Sequence, residues 1–146
     1  YAALGGLEGL LYPWGNYWST SKLWCSKEIP SDAKLTAPVN RVGNMYLNSF
    51  GLSDLSGNTW QLCLDYYSKY SKEAEVNPSG PASSESNVRV VRGGSWKDVK
   101  YYLQVSTRDY EYEDIPRSFI GFRTVHDYLG ADLTANAQTN SSRIKR

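Results

Sequence analysis

Hydrophobic positions in this chain form short runs that never keep a helical period for long. Three runs rich in β-branched and aromatic residues favour strands: "TWQLCLDYY" at 59–67, "VRVVRGG" at 88–94 and "FIGFRTV" at 119–125. Apolar and polar residues alternate in "YYLQVSTR" at 101–108, which predicts a further strand. Strands this close together in sequence indicate a small antiparallel sheet.

The segments between these runs are rich in turn-forming residues. We predict the end of a helix in residues 1–12, an ordered loop at 14–40 and an exposed loop at 68–88. The last residues, 127–146, carry few aliphatic side chains and are predicted to be a disordered tail or linker. One loop-rich α+β domain at 1–126 remains.

Aromatic residues are the compositional excess, with 12 Tyr and 5 Trp in 146 residues. Such side chains bury a large area while keeping a polar tip, which suits a fold held by a few packed rings. The formal net charge is only +1, so nothing points to nucleic acid or to an anionic membrane. No run of 18 apolar residues occurs, and we expect no transmembrane segment in the chain.

Most catalytic arrangements are excluded by residue type. His126 is the only histidine, so a Ser-His-Asp or Cys-His centre has one candidate base. Gly93 and Gly94 do not belong to a phosphate-binding glycine motif. Cys25 and Cys63 are interpreted as two buried thiols, with a disulfide between them as the alternative.

A charged, tyrosine-rich run, "RDYEYED", follows the predicted strand at 101–108. In an extended chain Asp109, Glu111 and Glu113 share one side, with Tyr110 and Tyr112 on the other. A solvated face is the commoner explanation of such a run. Calcium binding, or recognition of a cationic or sugar ligand, is the alternative, because tyrosine faces beside carboxylates suit both cations and hydroxyl groups.

An ordered set of motifs resembles the formylglycine-generating enzyme, or sulfatase-modifying factor, family: "YPWGN", "APVN", "NSFGLSDLSGNTWQLCLDYY", "NPSGP", "RVVRGGSW" and "IGFR". The resemblance spans residues 1 to about 126 and covers the C-terminal part of the family domain. It implies a loop-rich variant of the C-type lectin fold. It also suggests an exported or cell-envelope protein, although the compartment stays open.

The family's oxidase activity depends on two cysteines that follow the GGSW motif and bind copper. By the resemblance, these positions fall near Asp98 and Leu103 in this chain. Neither residue supplies the thiolate that copper(I) needs, so copper is not expected. The family's structural calcium site is matched by Asn58, while Gln61 replaces a glutamate; calcium is therefore expected to bind weakly or not at all.

The first hypothesis is therefore a non-catalytic binding or assembly module for an unknown protein or small ligand. Such a module would be comparable to gliding or secretion lipoproteins of this fold in bacteria, or to binding proteins of this fold that are diversified by a retroelement. The alternatives are a formylglycine-generating oxidase and a lectin-like sugar-binding domain. The expected binding surface comprises Lys97, Asp98, Lys100, Tyr101, Tyr102, Asp109, Tyr110, Glu111 and Tyr112. The expected framework residues are Trp14, Trp60, Gly93, Gly94, Trp96, Arg108, Gly121, Phe122 and Arg123. Phe122 is predicted to pack, and Arg123 to pair with a core carboxylate.

Overall fold

The computed structural model describes residues 1–25, 35–39, 47–73, 80–83 and 87–125. Its strands are β1 (Trp60–Tyr66), β2 (Val88–Arg92), β3 (Arg108–Tyr112) and β4 (Ile120–Gly121). Helix is limited, in this part of the chain, to two single 3-10 turns, Ala2–Leu4 and Thr20–Lys22. The helical half of the α+β expectation is therefore not met in the described ranges, and the predicted tail lies outside them.

The four strands form one sheet in the order β3-β2-β1-β4. The pairs β1–β2 and β2–β3 are antiparallel, whereas β4 runs parallel to β1 through Trp60↔Ile120 and Gln61↔Gly121. The sheet is small and mixed, so the expectation of a purely antiparallel sheet is wrong. Residues 113–119 carry the chain from β3, at one edge of the sheet, to the opposite edge, where β4 pairs with β1.

The strand predicted at 101–108 is also wrong. This segment is a series of turns, in which Tyr102 N donates to Val99 O, Gln104 N to Tyr101 O and Thr107 N to Gln104 O. The turns direct Leu103 inward, where it is fully buried against Tyr12, Leu23 and Cys25. Burial of one leucine in the core thus decides the path of this segment, and regular pairing starts only at Arg108.

The Gly93–Gly94 pair forms the exit from β2, as the motif indicates. Both glycines have positive φ, 93° and 67°. A Cβ atom on Gly94 would lie 2.6 Å from Leu103 Cδ2 and 2.8 Å from the Tyr102 carbonyl oxygen. Glycine therefore provides both the left-handed turn and the room for Leu103 in the core.

The other framework residues differ in their burial. Trp60 is buried at the start of β1, and Trp14 packs on the core cluster around Tyr12. Trp96 is half-buried, and its Nε1 atom is enclosed without an acceptor among the described residues. Phe122 is 78% exposed, so the prediction that it packs is wrong.

Candidate functional site

The turns after Gly94 and the edge strand β3 together form two adjoining cavities on the surface. The larger one, of about 450 Å³, is named here the tyrosine groove. Its walls carry six principal side chains: Tyr67, Tyr70, Tyr101, Tyr102, Arg108 and Asp109. The smaller one, of about 280 Å³, is named the β3 pocket, and it shares Tyr102 and Asp109 with the groove.

The sheet positions one side of this surface. In β3, Tyr110 pairs with Val90 and Asp109 with Val91 of β2, so the register is fixed by the buried valines of the neighbouring strand. The Tyr110 ring then lies 5.0 Å from the ring of Tyr67, just beyond β1. Strand β3 thus places its side chains beside tyrosines that are distant in sequence.

Arg108 holds the groove wall together. Its guanidinium carbon lies 3.8 Å from the ring centroid of Tyr70 and 4.5 Å from that of Tyr67. Its Nη2 atom donates to the Ser68 carbonyl oxygen at 2.6 Å. Arg92 adds a bond from Nη2 to the Tyr70 hydroxyl at 2.9 Å. Two arginines therefore fix rings in a segment that has no regular secondary structure.

Sequence reasoning missed Tyr67 and Tyr70 as part of this surface. It assigned residues 68–88 to an exposed loop, and the described residues 69–73 and 80–83 are exposed. The available signal was the placement of Tyr67 directly after β1 and of Tyr70 shortly beyond it. Their proximity to Arg108, forty residues away from Ser68, is a tertiary contact. A pattern of local periodicity contains no information about it.

Asp98, near which the resemblance places the family's first cysteine, has a structural role. Its Oδ2 atom accepts from Ser95 N at 2.8 Å and from Ser95 Oγ at 2.5 Å. Ser95 is fully buried, and Leu103, near the second cysteine position, is fully buried as well. Both positions are thus filled by residues that hold the loop and the core.

The remaining expected surface residues are spread over neighbouring sites. Lys97 lines the β3 pocket, with its ammonium 3.4 Å from the centroid of the Phe119 ring. Tyr112 and Glu111 line a third cavity, together with Ile115 and Arg117. Lys100 is exposed and lines neither the groove nor the β3 pocket, although its carbonyl oxygen accepts from the Tyr12 hydroxyl.

The carboxylates of β3 are arranged along its free edge. Asp109 Oδ1 accepts from Tyr110 N at 2.9 Å, and Glu111 Oε1 accepts from Tyr112 N at 3.1 Å. Glu111 also forms an ion pair with Arg117 at 3.0 Å. Burial alone would raise the pKa of Glu111, but the hydrogen bonds from Arg117 and from Tyr112 N–H hold it below its usual value.

The expected calcium residues are engaged in hydrogen bonds. The Asn58 amide bonds both backbone groups of Ala37, at 3.0 and 3.1 Å. Gln61 Oε1 accepts from the Arg123 guanidinium at 2.5 Å. A cation beside this oxygen does not fit a calcium ligand set, and no group of three His, Cys, Asp or Glu able to hold a metal occurs among the described residues. Calcium binding stays a prediction.

Arg123 was expected to pair with a core carboxylate, but it forms no such ion pair among the described residues. Its Nη2 atom donates to the Ser53 and Asp54 carbonyl oxygens at 3.0 and 3.3 Å, in addition to its bond with Gln61. Burial lowers the pKa of this guanidinium, and the nearby Asp54 charge opposes that effect. Arg123 therefore ties the end of the sheet to the loop before β1.

The two cysteines are free thiols, Cys25 buried and Cys63 half-buried, so the disulfide alternative is not realised. Burial, together with the Asp65 charge, raises the pKa of Cys63. A raised pKa disfavours the reactive thiolate. His126 lies outside the described residues.

This architecture defines a class of protein: a small mixed sheet that supports long irregular segments. The chain belongs to the family of the sulfatase-modifying factor enzyme 1-like domain, whose model matches residues 1–128. It is 33% identical over 152 residues to the formylglycine-generating enzyme of Streptomyces coelicolor, a match that covers 94% of this chain and 46% of the relative.

Other relatives carry different names. The inactive C-alpha-formylglycine-generating enzyme 2 of Bos taurus is 31% identical over 136 residues, covering 84% of this chain and 40% of the relative. A solved structure, Treponema denticola variable protein 1, is similar with a TM-score of 0.68 at 28% identity, covering 83% of this chain and 42% of that one. The chain spans less than half the length of each of these relatives. No helix long and apolar enough to cross a membrane occurs in the described ranges.

Proposed function

We propose that this chain is a non-catalytic binding module of the sulfatase-modifying-factor family. The observation that carries the proposal is the structural role of the two residues that the resemblance assigns to the family's cysteine positions. Asp98 caps the buried Ser95, and Leu103 fills the core. A copper centre built there would need two thiolates in the place of a loop cap and a core side chain.

The tyrosine groove and the β3 pocket support the binding half of the proposal. Rings of Tyr101, Tyr102 and Tyr110 remain partly exposed around the two cavities. Exposed tyrosines on a rigid support supply large contact areas at a low cost in conformational entropy. The existence of relatives named inactive is consistent with the family tolerating loss of oxidase chemistry.

The test combines a metal measurement with an activity assay on the purified chain. We expect no stoichiometric copper after incubation with copper(I), and no formylglycine in a peptide with the CxPxR motif. An authentic formylglycine-generating enzyme in the same assay is the positive control. Copper binding with conversion of the peptide would refute the proposal and establish the oxidase alternative.

The binding half has its own test once a partner has been captured. Replacing Tyr110 by Ala should weaken binding at least tenfold without changing the thermal midpoint by more than a few degrees. Tyr17 is equally exposed but lies outside both cavities, so Tyr17→Ala is the matched control. Equal loss in both variants would show that binding does not use this surface.

A further inference from the structure

The charged side chains that line the tyrosine groove cancel one another. They are Arg108 and Asp109, so the lining carries no formal net charge. Arg92 binds the groove wall without lining the cavity, since its Nη1 atom donates to two backbone carbonyl oxygens of the wall at 2.9 and 3.0 Å. Charges of both signs thus surround the groove, and a charged ligand of either sign would meet repulsion as well as attraction.

Both guanidinium groups are held by contacts within the protein. That of Arg108 lies over the rings of Tyr67 and Tyr70, and its Nη2 atom bonds a backbone carbonyl oxygen. That of Arg92 uses both Nη atoms, since Nη2 donates to the Tyr70 hydroxyl. Strong capture of an anion requires a guanidinium that directs two N–H groups at it, and the Asp109 carboxylate would oppose an anion in the same cavity. The groove therefore favours a neutral ligand.

Several polar groups of the lining are left for a ligand. The side chains of Tyr101, Tyr102 and Gln104 line the groove and form no hydrogen bond among the described residues. Asp109 uses only Oδ1, for the Tyr110 N–H, so its Oδ2 atom remains an acceptor. The Gln104 amide and the tyrosine hydroxyls both donate and accept. Because a hydroxyl group also does both, a ligand rich in hydroxyl groups is the complement of this lining.

The aromatic rings supply a second kind of contact. Tyr101 is 61% exposed and meets Tyr102 edge to face, with ring centroids 5.4 Å apart. The face of an aromatic ring is negatively polarised and attracts the weakly positive C–H groups on one side of a sugar ring. The cavity of about 450 Å³ lies in the lower part of the range in which proteins bind small molecules, which suits a short saccharide.

We propose that the tyrosine groove binds a neutral saccharide. Tyr101 and Tyr102 contact a sugar ring, and Gln104 and Asp109 bond its hydroxyl groups. This rests on the proposed function as a binding module and names the class of its ligand. The lining contains a single carboxylate, and no group of three His, Cys, Asp or Glu able to hold a metal occurs in the described part of the chain. The saccharide is therefore held by side chains directly, without a bridging metal ion.

The test starts with the whole chain on an array of neutral glycans that end in glucose, galactose, mannose or N-acetylglucosamine. The array also carries sialylated and sulfated glycans, and a parallel array carries peptides without sugar. We expect binding to at least one neutral glycan. Binding confined to acidic glycans or to peptides, or no binding at all, would overturn the inference.

Isothermal titration calorimetry with the neutral glycan that binds best then examines the chemistry. The affinity should change by less than about twofold when salt is raised, because a neutral ligand has no charge to be screened. It should also be unchanged in EDTA, because the proposed contacts include no metal. A steep salt dependence, or loss of binding in EDTA, would overturn the assignment of a neutral ligand held directly by side chains.

Variants locate the site. Gln104→Ala should weaken glycan binding about tenfold with an unchanged thermal midpoint, since this side chain forms no hydrogen bond within the described residues. Tyr101→Ala should weaken it about tenfold or more, through loss of the ring contact. Tyr17→Ala removes a similarly exposed ring outside the groove and is the matched control, with an effect below about twofold. Equal effects at Tyr101 and Tyr17 would overturn the placement of the sugar in the groove.

The failure of this inference and that of the proposed function give different results. Absence of glycan binding, together with no oxidation of the CxPxR peptide, would remove the saccharide and leave the non-catalytic module intact. Oxidation of the CxPxR peptide would remove the non-catalytic module itself, and the saccharide inference that rests on it.

Discussion

Replacing Asp98 by Ala should destabilise the fold, because this carboxylate caps a buried loop. The substitution removes the acceptor of Ser95 N at 2.8 Å and of Ser95 Oγ at 2.5 Å. Ser95 is fully buried, so two donors lose their partner. A buried donor left unsatisfied costs about 1–3 kcal/mol. Asp98 itself is half-buried, so water can replace part of the lost hydrogen bonding. We therefore expect the free energy of unfolding to fall by about 2–4 kcal/mol in total.

Chemical denaturation followed by tryptophan fluorescence measures this loss directly. A change of about 3 kcal/mol corresponds to a fall of roughly 10 °C in the thermal midpoint for a domain of this size. Asp98→Asn keeps one acceptor oxygen and should cost about half as much. Asp114→Ala removes an exposed carboxylate and should stay within about 0.5 kcal/mol.

A double-mutant cycle with Ser95→Ala isolates the hydroxyl bond. The two substitutions should be less than additive, since both remove the same contact. If Asp98→Ala unfolds at the same denaturant concentration as the unsubstituted chain, the carboxylate is not a cap. Asp98 would then be available for a ligand, and the structural reading of the family's first cysteine position would fail.

Three more predictions concern the core, the surface and acid stability. Leu103→Ala should cost about 2–5 kcal/mol in denaturant unfolding, since the side chain is fully buried; a loss below 1 kcal/mol would contradict its place in the core. Phe122→Ser should stay within about 0.5 kcal/mol because the ring is 78% exposed, and a larger loss would restore the expectation that it packs. Glu111 has a pKa below the ordinary 4.5, so its stabilisation is present above that pH and is lost as the pH falls through the lowered value. Glu111→Gln should therefore reduce the acid dependence of the midpoint, and an unchanged dependence would refute the Arg117 pairing as its source.

Local sequence signals predicted the features that depend on local conformation. The strands β1 and β2 coincide with apolar runs, and the exit from β2 uses the two glycines of its motif. Each of these features depends on residue type and on immediate neighbours, and a local sequence pattern includes both. The family motifs extended this knowledge along most of the chain, and the family model matches residues 1–128.

The errors arose where distant residues decide the structure. The alternation at 101–108 is typical of a strand, but the burial of Leu103 against Tyr12 and Cys25 converts the segment into turns. The pairing of β4 with β1 depends on which edge of β1 remains open, and only the assembled sheet determines that. The groove was predicted only in part, because Tyr67 belongs to it through contacts with Arg108 and Tyr110.

Strand β3 lies at an open edge of the sheet, and its chemistry has a consequence for self-association. Glu113 N donates to Asn87 O, so the Tyr110 and Tyr112 N–H groups, at the alternate positions, point away from β2. Each of these outward donors is bonded by the carboxylate of the residue before it. A second chain approaching this edge finds no free N–H at either tyrosine and meets negative charge. The alternation of acid and tyrosine thus protects a tyrosine-rich edge from aggregation, without a covering helix or a proline.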